Sequence, residues 1–433
     1  MWSKVMMLCV LILASVHGPE AEAADSPLLG YWQGQLFYDQ VPLEIHLSIS
    51  GTEDNYRVLL DIPSLVYAGQ EVVFEENPEG GYVLEFPFGL GRLQLALDGD
   101  LDLSGGNSQF SLALQKARQP ERQSYEIDFG VGENLTQGTL ILPAEPGPHP
   151  VIILIGGSAA ASRESWSYAS WAEFYLAEKM GVFIYDRLTD VMNVNGMSIP
   201  STIQDHALNV ADAIDKIKIF DSVDLERIGV SGSSRGGWIA LALADIMPEL
   251  AFFVFRSTAF TTPGEQEVHS ILAGMRVDGL SSAEIDRARN YLRLYFYTAA
   301  TGLGWELLVA EMRSAEDEAW FQYVDQPRTI RDLDWWRENM NFDTLAHLRG
   351  IKKPVLAIWG GADSITPWHR YRDIFLGELS AAGNTDATSH IAKNADHRLE
   401  IPAGREPDGC FLWFGIAPDA LDILRSQIWA FVE

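Results

Sequence analysis

The sequence predicts an α/β protein: a mostly parallel sheet flanked by helices, with a small all-β unit ahead of it and a helical insertion within it. Three observations carry that reading. Residues 150–158 (PVIILIGGS) and 353–359 (KPVLAIW) are continuous apolar runs, the pattern of strands buried on both faces of a parallel sheet. Stretches of helical spacing alternate with such runs; within 201–219, Ile203, Ala207, Val210, Ala211, Ile214 and Ile217 fall on one helical face. Residues 26–117, by contrast, alternate apolar with polar in short segments such as Leu43–Ile49 (LEIHLSI), separated by Gly-, Pro- and Asn-rich turns.

Composition sets outer bounds. At 433 residues the chain has room for two domains and a sizeable core. A net charge of −29 speaks against nucleic-acid partners, which require basic surface, and against anionic membrane surfaces. The amino terminus, MWSKVMMLCVLILASVHGPEAEAADS, has Lys4, an apolar run Val5–Val16, a Gly18-Pro19 break and the small-residue site Ala21-Glu22-Ala23. That is the plan of a secretory signal peptide over residues 1–23, cleaved before Ala24, and it predicts a secreted or periplasmic protein. The run is short for a membrane span, and no later stretch is long and apolar enough for one. Of the two cysteines, Cys9 falls in this segment, which leaves Cys410 without an internal disulfide partner and expected to be a packed thiol.

The elements follow in order. Residues 24–119 form the amino-terminal β domain, a small barrel or sandwich, in which His46 alternates with apolar neighbours and faces solvent. A polar, proline-containing stretch at 116–123 marks its end, and residues 120–433 form the second domain. Tyr125–Phe129 and Gly138–Leu142 read as an antiparallel hairpin leading into it. The strand at 150–158 is followed by a helix over Trp166–Met180, a strand over Val182–Tyr185, the helix within 201–219, and a strand–turn–helix at 227–244. Ala251–Phe255 is a further buried strand. Residues 261–350, helical, aromatic and charged, interrupt the rhythm as a helical cap insertion. The alternation then resumes with the strand at 353–359, a helix at Tyr371–Leu379, a short strand at Ala387–Ile391 and a last helix at Asp419–Val432.

The stretch 227–244, RIGVSGSSRGGWIALALA, is the chemical centre of the chain. Gly232 and Gly236 lie two residues before and two after Ser234, the G-x-S-x-G spacing of a nucleophile elbow. In such a turn the serine is held in a strained conformation, clear of the sheet, and side chains at the two flanking positions would collide with backbone. A frame centred on Ser231 fits less well, because it puts Ser233 where the second glycine belongs. A serine hydroxyl is a weak nucleophile and needs a base within hydrogen-bond reach and a group that orients the base. Asp363, closing PVLAIWGGAD, and His397, in KNADH after the last short strand, stand where open α/β sheets gather their functional groups. Asp343 and Asp396 compete for the acid and His390 for the base, although His390 falls inside a strand. His206, beside Asp205 on a helix, reads as a surface or capping residue, and His149, His269, His347 and His369 as structural. Backbone N–H groups of Arg235 and Ser158 are the candidate oxyanion donors, the second in the Gly156-Gly157-Ser158 loop. No H-E-x-x-H pattern or Cys/His cluster occurs, so neither a metal nor a cofactor is expected.

With VIILIGGSAAASRE, IYDR, GVSGSSRGGWIA, PVLAIWGGADSITP and NADHRL in place, the chain resembles the α/β-hydrolase superfamily, and within it secreted bacterial serine carboxylesterases with an amino-terminal β domain. The resemblance implies an α/β-hydrolase fold, a Ser234–His397–Asp363 triad, an acyl-enzyme intermediate and a small-molecule ester as substrate. Serine peptidases of the prolyl-oligopeptidase clan share the Gly-Gly after the elbow and are the alternative; a non-catalytic carrier using the β domain is another. Two departures bear on loop geometry: Tyr185-Asp186-Arg187 continues as Leu188-Thr189-Asp190, and the early loop is Gly156-Gly157-Ser158-Ala159-Ala160. The insertion's aromatics, Tyr291, Tyr295, Phe296, Tyr297 and Trp305, either line an acyl pocket or pack the cap's own core.

Overall fold

The computed structural model describes residues 26–38, 41–52, 55–87, 91–158, 162–405 and 411–432. The expected signal peptide (1–23) and Cys410 lie outside them.

The amino-terminal unit is a nine-stranded antiparallel sheet: β1 (Gly30–Tyr38), β2 (Val41–Thr52), β3 (Asn55–Ile62), β4 (Tyr67–Val72), β5 (Phe74–Glu76), β6 (Tyr82–Phe86), β7 (Gly91–Asp98), β8 (Asp102–Gly106) and β9 (Phe110–Ala117). Its spatial order is 4-3-2-1-9-8-7-6-5. Alternation of side chains decides which face turns inward. On β2, Leu43, Leu47 and Ile49 join Ile45 in an apolar core with Trp32, Leu60 and Leu93. His46 points to the other face as its register requires, but it is not open to solvent: its side chain is 15 % exposed, with the Tyr31 ring 5.4 Å away and Nε2 3.0 Å from the Glu44 carboxylate. The sheet curls on itself until Tyr56 of β3 meets Phe74 of β5, rings near-perpendicular at 6.0 Å. The expected barrel or sandwich is thus one curled sheet. Trp413 and Phe414, from far along the chain, pack into the same core.

The second sheet has eight strands in the order 10-11-13-12-16-17-18-19. The hairpin β10 (Arg122–Val131) and β11 (Asn134–Pro143) lies antiparallel at one edge. The remaining strands run parallel: β12 (His149–Ile155), β13 (Gly181–Tyr185), β16 (Val223–Ser233), β17 (Phe253–Arg256), β18 (Val355–Gly360) and β19 (Ala387–Ala392). A small hairpin, β14 (Val191–Val194) and β15 (Met197–Pro200), leaves the sheet after β13. Every residue of β12, β13 and β18 is buried, as continuous apolar runs require. Helices α1 (Trp166–Ala177), α2 (Ile203–Ile217) and α3 (Arg235–Ile246) cover the sheet. Between β17 and β18 run α4 (Pro263–Val277), α5 (Ser282–Thr301), α6 (Trp305–Ser314), α7 (Asp334–Asn339) and α8 (Thr344–Gly350); α9 (Trp368–Ala381) and α10 (Pro418–Val432) complete the order.

The first four of these inserted helices enclose an apolar core of their own, with Tyr291 and Tyr295 only 3 % exposed. Both tyrosines turn inward because their hydroxyls find Asp325, one its carbonyl oxygen at 2.6 Å and the other its carboxylate at 3.3 Å.

Candidate active site

Ser234 stands between β16 and α3 with φ 52° and ψ −119°, a conformation L-residues rarely adopt. Its N–H is tied to the Arg256 carbonyl at 2.9 Å, which fixes the turn. The two flanking glycines are required by space. A Cβ on Gly232 would lie 2.6 Å from the Gly236 carbonyl oxygen, and one on Gly236 only 2.2 Å from the Ile155 carbonyl oxygen. Neither obstacle is a flexible side-chain end. Gly236→Ala should therefore lower stability by about 3 kcal/mol, at the upper end for an overpacked site. A urea midpoint unchanged from wild type would refute that close fit.

His397 sits in the loop after β19. Its Nε2 is 3.1 Å from Ser234 Oγ, and its Nδ1 is 2.9 Å from Asp363 Oδ2. Three residues far apart in sequence thus meet at the carboxyl end of the sheet. The loop can come this close because Gly360, ending β18, has no side chain; a Cβ there would lie 2.1 Å from the Asp396 carbonyl oxygen. The competitors are engaged elsewhere. Asp396 Oδ1 accepts from the N–H groups of Arg398 and Glu400, Asp343 caps α8 through the Ala346 N–H, and His390 pairs with Asp419 at 3.1 Å.

Asp363 is fully engaged. Oδ1 accepts from the N–H groups of Ile365 and Thr366, each at 2.8 Å, and Oδ2 from the Thr366 hydroxyl at 2.5 Å as well as from His397. Burial alone would push its pKa up; the His397 hydrogen bond and charge, with Thr366, more than reverse that and hold it below the usual carboxylate value. Sequence reasoning missed Thr366. The signal was present in Asp363-Ser364-Ile365-Thr366, an Asp followed at the third position by a Thr whose N–H and hydroxyl both reach back.

The early loop is held from two sides. The Gly156 N–H donates to the Tyr168 hydroxyl at 3.0 Å, and the Arg187 guanidinium donates to the carbonyls of Gly157 (2.6 Å) and Ser158 (3.3 Å). In a trans peptide the C=O and the following N–H point in opposite directions. A Gly157 carbonyl turned to Arg187 therefore turns the Ser158 N–H the other way. Gly157 lies so close to Ser234 that a Cβ on it would be 3.3 Å from the serine Cβ. The Arg235 N–H belongs to the first turn of α3, where helix donors have no intrahelical acceptor and the dipole favours negative charge.

One side chain near the elbow, His206, differs from expectation. Asp205, not His206, makes the capping box with Thr202, and His206 is 2 % exposed. Its Nε2 lies 3.1 Å from Ser201 Oγ and 3.3 Å from an Arg235 guanidinium nitrogen. Arg235 is itself buried, paired to both Asp190 carboxylate oxygens (2.7 and 3.3 Å) and stacked 4.5 Å from the Trp335 ring centre. Burial would raise the Asp190 pKa, but the His206 ring 3.7 Å away and the hydrogen bonds and charge of Arg235 pull it far down. Burial, and then the charges of Arg235 and Arg187, lower the pKa of His206 despite the Asp190 carboxylate 3.7 Å away.

A cavity of about 620 Å³ opens over Ser234. Gly157, Ser158, Arg235, Thr366 and His397 line its base; Trp238, Trp335, Trp336 and Glu267 line its walls. None of the five insertion aromatics singled out from sequence lines it. Tyr291 and Tyr295 serve the cap's core, Phe296 and Trp305 pack against that core, and Tyr297 is half exposed. The aromatic wall comes instead from Trp238 of α3 and from Trp335 and Trp336 of α7. A small neighbouring cavity touching His397 is lined by Val66, so the amino-terminal unit reaches the rim of the site. Among the described residues no group of three or more His, Cys, Asp or Glu side chains is arranged to hold a metal.

Fold and site together define an α/β hydrolase. The chain belongs to the Alpha/beta hydrolase family, whose sequence profile matches residues 152–410. A putative carbamate hydrolase, RutD, from Pseudomonas syringae pv. syringae (strain B728a) is 26 % identical over 164 residues, 37 % of this chain and 60 % of that protein. This chain thus spans less than two thirds of that relative. Among solved structures, the Pyrococcus furiosus esterase PF2001 is 19 % identical with a TM-score of 0.41, over 64 % of this chain and 84 % of the esterase. A 2,6-dihydroxy-pseudo-oxynicotine hydrolase is 17 % identical with a TM-score of 0.43, over 72 % of this chain and 68 % of its own. A thermophilic esterase from Thermogutta terrifontis is 14 % identical with a TM-score of 0.40, over 71 % and 99 %.

Proposed function

We propose that this protein is an exported serine hydrolase that cleaves carboxylic esters through an acyl-enzyme. The observation that carries the reading is the unbroken hydrogen-bond line from Ser234 Oγ through the His397 ring to Asp363, with the serine in a strained turn. His397 Nε2 takes the serine proton as Oγ attacks the ester carbonyl. The N–H groups of Arg235 and Ser158 receive the oxyanion. The protonated imidazole gives its proton to the leaving alcohol, and Asp363 steadies the charged ring. Water, deprotonated by the same imidazole, then releases the acid and restores Ser234. Export rests on the apolar run Val5–Val16 and the Ala21-Glu22-Ala23 site. A fluorophosphonate probe tests the nucleophile: wild type should label and Ser234→Ala should not, and equal labelling of the two ends the reading. Short p-nitrophenyl esters turned over faster than aminoacyl or prolyl amides support ester over peptide cleavage.

Glu267 adds a pH-dependent preference. It has no hydrogen bond or ion pair among the described residues, and burial followed by repulsion from Asp325 pushes its pKa up to about 7. Below that pH Glu267 is neutral; above it, the same position presents a carboxylate to the cavity. The ratio of kcat/KM for an ammonium-bearing ester over its neutral isostere should therefore rise as pH increases through about 7, and Glu267→Gln should flatten the rise. An equal slope in wild type and variant would exclude Glu267 as its source.

A further inference from the structure

A second cavity, about 760 Å³, lies on the other face of α4 from the one over Ser234. The helix is the shared wall. Gln266, Glu267 and Ser270 face the Ser234 cavity, whereas Gly264, Val268, Leu272 and Arg276, spaced every fourth residue, face the second.

Its lining runs against the composition of the chain. The sequence carries 60 Asp and Glu against 31 Lys and Arg, yet four arginines converge here: Arg276 from α4, Arg289 and Arg293 from α5, and Arg370 from the first turn of α9. Glu265 is the only carboxylate in the lining, and the Thr261 hydroxyl already donates to it. Arg289 pairs with Asp286. The Arg276 and Arg293 side chains have no hydrogen bond or ion pair among the described residues, and the Arg370 guanidinium meets His269 Nδ1 at 3.0 Å and the Tyr371 ring at 5.7 Å, with no carboxylate partner among the described residues. Burial and the nearby Arg370 and Arg276 lower the pKa of His269, so the ring accepts from Arg370 and adds no charge. Arg289 and Arg293, four residues apart on one helix, repel each other, and an anion between them would offset that repulsion. The floor beneath is apolar: Val268, Leu272, Leu292 and Phe296.

We infer that this groove binds an amphipathic organic anion, a carboxylate or phosphate head on an alkyl or aryl body. Guanidinium forks match both head groups in bidentate geometry, which lysines would not. The apolar floor accepts the body, and the volume is that of a small-molecule site. The site stands apart from Ser234 and does not depend on that residue being a nucleophile.

The test is isothermal titration calorimetry on the full chain with decanoate, decyl phosphate and decanol. At least one of the two anions should bind one to one, more weakly as salt is raised, and decanol should bind much less. Which anion binds identifies the head group. Arg276→Gln with Arg293→Gln should weaken binding about ten-fold or more, equivalent to roughly 1.4 kcal/mol. Arg313→Gln with Arg331→Gln makes the same charge change at exposed cap positions outside the groove and should leave binding unaltered. Failure of both anions to bind overturns the inference. So does equal binding of decanol, or equal loss in the two double variants. Unaltered binding in the groove variant overturns it too, because the anion would then sit elsewhere, the Ser234 cavity included.

Discussion

Replacing Ser234 with Ala is expected to lower kcat by on the order of 10⁶-fold with little change in KM, the loss seen when a triad nucleophile is removed. In the proposed mechanism that hydroxyl forms the covalent bond, and the substitution leaves the rest of the cavity lining unchanged. His397→Ala should cost about as much, and the double variant scarcely more than either, because the two groups act as a unit. Steady-state kinetics with a short p-nitrophenyl ester, on protein purified free of host esterases, gives all three values. A Ser234→Ala enzyme retaining a tenth of wild-type kcat would remove Ser234 from the chemistry.

Asp363→Asn is expected to lower kcat by about 10⁴-fold, and the reason is a tautomer. Two backbone N–H groups, from Ile365 and Thr366, point at Oδ1. An asparagine must offer its carbonyl oxygen there, which turns its NH₂ group toward His397 Nδ1. Nδ1 then becomes the acceptor, the ring proton moves to Nε2, and the nitrogen facing Ser234 can no longer take a proton. A variant within tenfold of wild type would show that the ring is oriented by something else. Stability should respond as well. The folded-state pKa of Asp363 lies below its ordinary 3.8, so the carboxylate contributes stability at neutral pH that is lost as pH falls from about that value through the lower folded one. The variant should lack that part of the acid limb in urea midpoints measured against pH.

Much of the fold was legible locally. Apolar runs, helical stripes and the Gly232–Gly236 frame depend on near neighbours in the chain, and each appears where the sequence predicts it, from the β10–β11 hairpin to the helix ending at Val432. The pairing of Ser234, His397 and Asp363 was anticipated from chain order and strand ends. The small strands between Glu400 and Ile416 and the β14–β15 hairpin were not, because two- to four-residue strands have too short a period to read.

Local chain chemistry sets the class of the fold, the turn on which Ser234 stands and the residue types available to act with it. These follow from sterics and periodicity within a few residues. Tertiary structure alone decided the rest. It buried His206 against Arg235 and Asp190, gave Arg187 the Gly157 carbonyl that orients the Ser158 N–H, placed Trp335 and Trp336 rather than the predicted aromatics around the cavity, and gathered four arginines in an acidic chain. A side chain's partners across the fold depend on how whole elements pack. Residues tens of positions apart leave no periodic trace in one another's neighbourhoods.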